Sequence, residues 1–272
     1  MTQADKASQF QALHQRAGAF LIPNPWDPGS ARILAGLGFE ALATSSAASA
    51  AALGRRDGRL SREEALAHAR AIVGATTLPV SADLENGFSH TPEGVARTVL
   101  LAAEGGLVGC SVEDSTGDKD KPLYDLQLAS ERIEAGAKAA RSLPFRFTLT
   151  ARAEAFVRGR SDLDETIERL VAYEKAGADV LFAPGLTDLS AVRAVCLAVS
   201  KPVNFMVGIR GKSFSVGELA QAGVRRISFA ASFYRAAMTG LINAAREAKE
   251  MGTFNYLEST VLGPEINKFF PE

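Results

Sequence analysis

The stretch Leu78-Pro-Val-Ser-Ala-Asp-Leu-Glu-Asn-Gly-Phe88 decides the fold, because a short apolar run in it ends in two carboxylates, Asp83 and Glu85, immediately before a glycine turn. Pro79, Val80 and Ala82 suit a strand covered on both faces, and Asn86-Gly87 is a turn signal that stops it. The two acids are therefore expected where the strand runs out. Two residues apart on an extended chain, their side chains point the same way. Carboxylates that close need a cation, or one of them must hold a proton. Oxygen donors at the end of a buried parallel strand suit a hard divalent cation, Mg²⁺ or Mn²⁺. Taken alone, the stretch reads equally well as a solvated loop with two acids.

Working outward, short apolar strands alternate with helical patterns along the chain. The strand candidates are Phe20–Pro23, Ala41–Thr44, Val80–Asp83, Gly109–Glu113, Phe147–Ala151, Val180–Phe182, Val203–Val207 and Arg226–Phe229. Between them, helical spacing marks Pro28–Leu37, Arg62–Thr76, Thr91–Glu104, Ala129–Arg141, Leu163–Ala176, Leu189–Val199 and Val216–Gln221. Ser61 with Glu64, and Asp162 with Glu165, are helix-start signals, while Gly105, Gly177 and Gly223 mark helix ends. The alternation predicts an α/β chain folded as a closed (β/α)₈ TIM barrel, one domain over residues 1–272. An open doubly wound sheet is the alternative. Against it, the first strand is not followed by Gly-x-Gly-x-x-Gly, and no phosphate-loop Gly-Lys-Ser/Thr occurs. After the eighth strand comes an Ala-rich helix, Ser232–Gly252, then Phe254–Phe270. Residues 254–272 read as a helical extension whose apolar residues pack on a neighbouring subunit or cap their own barrel.

The bulk numbers exclude several classes. Lys+Arg number 30 against 31 Asp+Glu, a net charge of -1, so no global field draws in nucleic acid or an anionic membrane. The 47% hydrophobic content can furnish a core, yet no apolar run is long enough to span a bilayer, and the first residues lack the pattern of a secretory signal. A cytoplasmic protein is expected. The cysteines, Cys110 and Cys196, have neither the spacing nor the partners for a zinc site and read as core filler. His14 and His68 read as surface or packing residues, and His90 lies just past the acidic turn.

In such a barrel the C-terminal strand ends meet at one mouth. Strand one ends in Asn24-Pro-Trp-Asp27, and strand two in Thr44-Ser45-Ser46-Ala47-Ala48, small residues whose amides could bind a carboxylate or phosphate. Strand three brings Asp83 and Glu85, strand four Glu113 and Asp114, strand five Arg152 and Glu154, and strand seven Asn204. This suits a divalent cation held by acids, largely through water, with a bound oxyacid bridging the metal and Arg152. Arg152 could equally form a salt bridge with Glu113 or Glu154.

At these residues the sequence resembles the phosphoenolpyruvate mutase/isocitrate lyase superfamily, from about Phe20 to about Gly240. The resemblance is carried by Asp83-Leu-Glu-Asn-Gly-Phe, Val-Glu113-Asp114, Thr-Ala-Arg152-Ala-Glu and the Tyr-Glu-Lys-Ala-Gly-Ala-Asp run before strand six. It implies a Mg²⁺ enzyme that cleaves or forms a C–C or P–C bond of a small 2-oxo or 2-hydroxy acid through an enolate. It also implies Asp83 as direct metal ligand, with Glu85, Glu113 and Asp114 acting through water. Ser45 and Ser46 would hold the substrate carboxylate, beside Thr44 and Asn204, while Arg152 steadies the carboxylate and enolate oxygen. Asp57, in Gly54-Arg-Arg-Asp-Gly, would be the acid on the loop after strand two. A last helix swapped between subunits, giving a dimer or tetramer, is implied as well.

The chain also departs from that pattern. The lyase branch carries a Lys-Arg/Lys-Cys-Gly-His loop after strand four, and here the place reads Gly117-Asp-Lys-Asp-Lys-Pro-Leu-Tyr124. Lys119 can stand for the lysine, but the cysteine and histidine are missing. Lys119, Lys121 and Tyr124 could close over a bound anion, or the lysines could merely solvate the loop. The strand-six glutamate gives way to Phe182-Ala-Pro-Gly185, and strand seven reads Val-Asn204-Phe-Met-Val-Gly. Three functions compete: a Mg²⁺-dependent lyase, decarboxylase or phosphonate hydrolase; an aldolase with a Schiff-base lysine, disfavoured because no strand end carries Lys; and a non-catalytic barrel that binds a 2-oxo acid.

Overall fold

Every strand is short and flanked by polar turns, and all of them pair in parallel, so the helices must cover both the seams and the outer wall. The computed structural model describes residues 1–270. Eight strands, β1 (Phe20–Ile22), β2 (Leu42–Ala43), β3 (Val80–Asp83), β4 (Gly109–Glu113), β5 (Thr148–Arg152), β6 (Val180–Phe182), β7 (Val203–Met206) and β8 (Arg226–Ser228), run in the order β1-β8-β7-β6-β5-β4-β3-β2. The amide of Ala43 donates to the Pro23 carbonyl at 3.0 Å and draws the two ends of the sheet together. The fold is the expected (β/α)₈ TIM barrel.

Two helices escaped the sequence pattern. The first, α1 (Gln3–Gln15), precedes the barrel and is held at its start by a capping box between Thr2 and Asp5. Then come α2 (Pro28–Gly36), α3 (Ser46–Ala52), α4 (Arg62–Ala75), α5 (Pro92–Glu104), α6 (Leu126–Arg141), α7 (Leu163–Lys175), α8 (Leu189–Ala198) and α9 (Val216–Gln221). The second escape is α3: its alanines carry no polar–apolar contrast, so its period was invisible, and the expected small-residue loop after strand two is this helix, N-capped by Ser45.

The barrel's N-terminal end is closed by α1, whose Ala7, Phe10 and Leu13 pack with Phe20, Ala41 and Val108. Close approach depends on Gly109, where a Cβ would stand 2.8 Å from the Thr148 carbonyl and 3.1 Å from the Phe10 ring. His14 sits edge-on to Phe10 and Phe20, at ring-centroid distances of 4.7 and 4.9 Å, with Nδ1 2.8 Å from the Phe10 carbonyl. Burial, aided by the nearby Arg226 cation, lowers its pKa to about 3. The folded chain thus binds fewer protons here than the unfolded chain, and stability present above about pH 6.5 is lost as pH falls toward 3. Each tenfold weakening of proton binding is worth about 1.4 kcal/mol, so the loss approaches a few kcal/mol. In urea titrations from pH 7 to pH 4, His14→Leu is expected to flatten that acid slope; an unchanged slope would remove His14 as its source.

Beyond β8, α10 (Ser232–Arg246) continues through a π-turn, a 3₁₀ turn at Asn255–Ser259 and α11 (Gly263–Asn267). No residue of α10 is buried, and Leu241 and Leu262 are 60% and 66% exposed. The end of this tail returns to its own barrel: a Cβ on Gly36 would stand 2.5 Å from the Phe269 ring. Of the extension expected over 254–272, the last two positions lie outside the described residues. Among the described residues no helix is long and apolar enough to cross a membrane.

Candidate active site

The C-terminal strand ends open on a cleft of about 710 Å³. Five carboxylates line it, Asp57, Asp83, Glu85, Glu113 and Glu154, against three arginines, Arg59, Arg152 and Arg158. Formally, two negative charges remain uncompensated.

Arg152 ends β5 and is the hub. Its Nη1 donates to Asp83 Oδ1 at 2.8 Å, while Nη2 lies 3.1 Å from Glu113 Oε2 and 2.9 Å from Glu154 Oε1. Adjacent strands in register bring this about, because Glu113 pairs with Arg152 across β4 and β5. The salt bridges foreseen with Glu113 and Glu154 are therefore both present, with Asp83 added. Burial by itself disfavours the charge on Arg152, yet the three carboxylates outweigh it and hold the guanidinium charged. Burial would also raise Asp83, but Arg152 and the amides of Ser46 and Glu85 outweigh it and keep Asp83 ionised. Glu113 and Glu154 are raised, chiefly by burial and against the pull of Arg152.

Glu85 reaches the mouth by a different route from the one its spacing implied. The strand stops at Asp83, and Glu85 takes φ 49°, a left-handed conformation, so strand alternation does not aim it. Its carboxyl is pushed up to about 7, first by burial and then by Asp83 and Asp57. Phe88 and Ala230 also have positive φ, at 53° and 47°; among the described residues they are the other non-glycine residues so bent, and both line the cleft. Such backbone costs on the order of 1–3 kcal/mol per residue and gathers where a site over-determines it.

The other expected residues divide. Asp57 lines the cleft on the exposed loop before α4. Ser45 caps α3, and the Ser46 amide, expected to hold a substrate carboxylate, donates to Asp83 Oδ2 at 3.1 Å. Thr44 Oγ1 accepts from the Asp83 amide at 3.0 Å, so Thr44 and Ser46 orient the acid. Asn204 lies deeper, accepting from Arg226 Nε at 2.8 Å and donating to Ser228 Oγ at 2.9 Å. Asp114 lies outside the cleft lining: one oxygen accepts from the Glu154 amide (2.8 Å), the other from Arg169 Nη1 (3.1 Å) and Tyr173 Oη (2.6 Å). It braces the wall behind the site. Lys119 and Lys121 stand exposed on the loop after β4, which gives only Ser115, Thr116 and Gly117 to the lining. Tyr124 does not close over the mouth; its ring is buried under Arg132, with Oη 2.6 Å from His90 Nδ1. Sequence reading missed Arg158, whose Nη2 is 3.3 Å from Glu113 Oε1; its spacing of four from Glu154 was the available signal.

Among the described residues no three His, Cys, Asp or Glu side chains converge closely enough to hold one ion directly. A dication nonetheless fits the donor chemistry, with two unbalanced negative charges and the crowded Glu85 carboxyl, provided water completes its shell.

The family profile described as phosphoenolpyruvate phosphomutase matches residues 10–249. A crystal structure of a candidate lyase/mutase from Burkholderia cenocepacia superposes with TM-score 0.97 at 52% identity, covering 99% of this chain and 97% of that one. The 2-methylisocitrate lyase of Halalkalibacterium halodurans is 29% identical over 93% of this chain and 85% of its own. The oxaloacetate decarboxylase of a Marinomonas species is 28% identical over 91% and 87%. The match spans nearly the whole barrel, from α1 into the tail, and the chain belongs to the phosphoenolpyruvate phosphomutase family of lyases and mutases, within the phosphoenolpyruvate mutase/isocitrate lyase superfamily.

Proposed function

We propose that this protein is a Mg²⁺-dependent lyase, with Mn²⁺ as an alternative ion, that breaks a C–C bond of a small 2-oxo or 2-hydroxy acid through an enolate. The observation that carries this reading is Arg152, a buried guanidinium fixed by three carboxyl groups in a cleft where five carboxyls face three arginines. Asp83, Glu85 and Glu113 would hold the ion, which when bound supplies a Lewis acid for the substrate's carboxylate and 2-oxo oxygen. Arg152 keeps its charge throughout and faces the oxygen on which negative charge develops, so the stabilisation needs no reorganisation.

The composition of the cleft narrows the choice of bond. Cleaving a 2-hydroxy acid requires a base for the hydroxyl proton; the loop after β4 gives the cleft no titratable side chain, so that proton would have to pass to a cleft residue such as Asp57, Glu85 or His90. Decarboxylation of a 2-oxo acid that carries a second carboxylate on C3 needs no such base: the pair of the bond from C3 to that carboxylate moves toward the 2-oxo oxygen as enolate, CO₂ leaves, and a proton from solvent then adds at C3. That chemistry, the one for which the Marinomonas relative is named, asks least of the lining.

Calorimetry with Mg²⁺ tests the metal assignment apart from turnover. Wild type is expected to bind one ion, and Glu85→Gln and Glu113→Gln each to bind it about 10- to 100-fold more weakly. Unchanged affinity in both would move the ion elsewhere. The uncovered apolar tail supports a homo-oligomer, dimer or tetramer, and the likeness to 2-methylisocitrate lyase supports a place in the cytoplasm; light scattering that gives a monomer mass would contradict the assembly.

A further inference from the structure

Below the Asp83–Arg152 pair, inside the barrel, lies a second chamber of about 70 Å³. It is roofed by Asp83, Arg152, Met206 and Ala230, which also line the cleft above, so the two spaces adjoin. Its floor is Arg226, the first residue of β8, which is 6% exposed. Its side chain makes a single hydrogen bond in the structure, from Nε to Asn204, and Nη1 is buried without a partner. Among the described residues no carboxylate lies within ion-pair distance of it; the charged group nearest in effect is another cation, Arg152. Burial, aided by Arg152, lowers its pKa to about 9, so it is charged at neutral pH.

A buried cation without a counter-charge is among the least tolerated features of a protein interior, and natural ones are paired or hydrogen-bonded. Arg152 has three carboxylates and Arg226 has none. Ser81, Ser111, Ser228 and Asn204 line the chamber beside apolar Ala82, Phe182 and Met206, and the Asp83 carboxylate at the roof is held by Arg152. The Asn204 amide is already spent on Arg226 and Ser228, so the unpartnered Nη1 of the guanidinium is the free donor, and a guanidinium fork suits a flat carboxylate.

We propose that this chamber is an anion subsite that takes a single carboxylate group, with Arg226 as its cation. The carboxylate is either the far end of an oxyacid whose reacting end lies at Asp83 and Arg152, or a free small monocarboxylate. The first source rests on the proposed function; the subsite itself does not.

The test uses sodium formate titrated calorimetrically into metal-free protein at constant ionic strength. Wild type is expected to bind formate saturably, and Arg226→Met to lose at least about tenfold in affinity. Without anion, Arg226→Met should melt at or above wild type, because it removes an uncompensated buried charge. Arg226→Lys, which keeps the charge but not the fork, should bind with intermediate affinity. Malonate with Mg²⁺ then separates the sources: displacement of formate by malonate indicates the substrate's far carboxylate, and simultaneous binding indicates a free anion. Absence of formate binding to wild type, meaning that water alone fills the chamber, overturns the proposal. So does formate binding by Arg226→Met with wild-type affinity, or an anion-free variant that melts far below wild type. Formate binding in a protein that turns nothing over would leave the subsite standing and remove the lyase.

Discussion

Replacing Asp83 with alanine is expected to reduce turnover by about a thousandfold or more, since metal and oxyanion stabilisation are lost together. Three groups converge on this one side chain: the Arg152 guanidinium on Oδ1, the Glu85 amide also on Oδ1, and the Ser46 amide on Oδ2. Truncation therefore removes the proposed direct ligand and releases the strained turn that carries Glu85. Asp83→Asn separates these effects. It keeps the acceptor for Ser46 and the shape of the site while removing the charge, so it should fold like wild type yet bind Mg²⁺ far more weakly. Steady-state kinetics beside melting curves check this; an Asp83→Asn enzyme with near-wild-type turnover would place the ion elsewhere.

Arg152→Met is expected to combine a similar loss of turnover with a large loss of stability. Removing one member of a buried charge cluster strands the others, at a cost of about 3–5 kcal/mol. Here Glu113 and Glu154 would lose their shared cation, although Arg158 stays near both. Both carboxyls are already raised by burial. Without Arg152 they would rise further, and an acid whose folded pKa lies above its unfolded value loses stability as pH rises. The deficit of Arg152→Met should thus shrink in mild acid and grow toward alkaline pH. A deficit independent of pH would mean that the stranded carboxylates are not its cause. Arg152→Lys should recover much of the stability but little of the activity, because a point charge cannot reach Asp83 and Glu154 as a fork does.

The barrel was legible because its strands are short, apolar and ended by turn residues, and because Asp83, Glu113 and Arg152 lie at those ends. What stayed hidden had physical reasons. The alanines of α3 carry no contrast between faces, and α1 stands outside the alternation. The fate of Asp114 depends on Arg169 and Tyr173, far away in sequence, which meet it only after α7 packs on the wall. Glu85 lies in the cleft as expected, but through a left-handed turn that residue spacing does not reveal. Arg226 reads in sequence as one more basic residue before an apolar run, and only burial with Nη1 unpartnered marks it out.

The central claim is that the Asp83, Glu113 and Arg152 cluster breaks a C–C bond beside a 2-oxo group. The most direct test offers purified protein with Mg²⁺ a panel of 2-oxo and 2-hydroxy di- and tricarboxylates together with phosphonopyruvate, and follows pyruvate, glyoxylate, succinate and CO₂ by mass spectrometry and coupled assay. The account predicts a product from a 2-oxo acid that EDTA abolishes, Mg²⁺ restores and Asp83→Ala lacks. No product from any member of the panel, despite Mg²⁺-dependent thermal stabilisation by a 2-oxo acid, would contradict it and leave a binding barrel in place of a lyase.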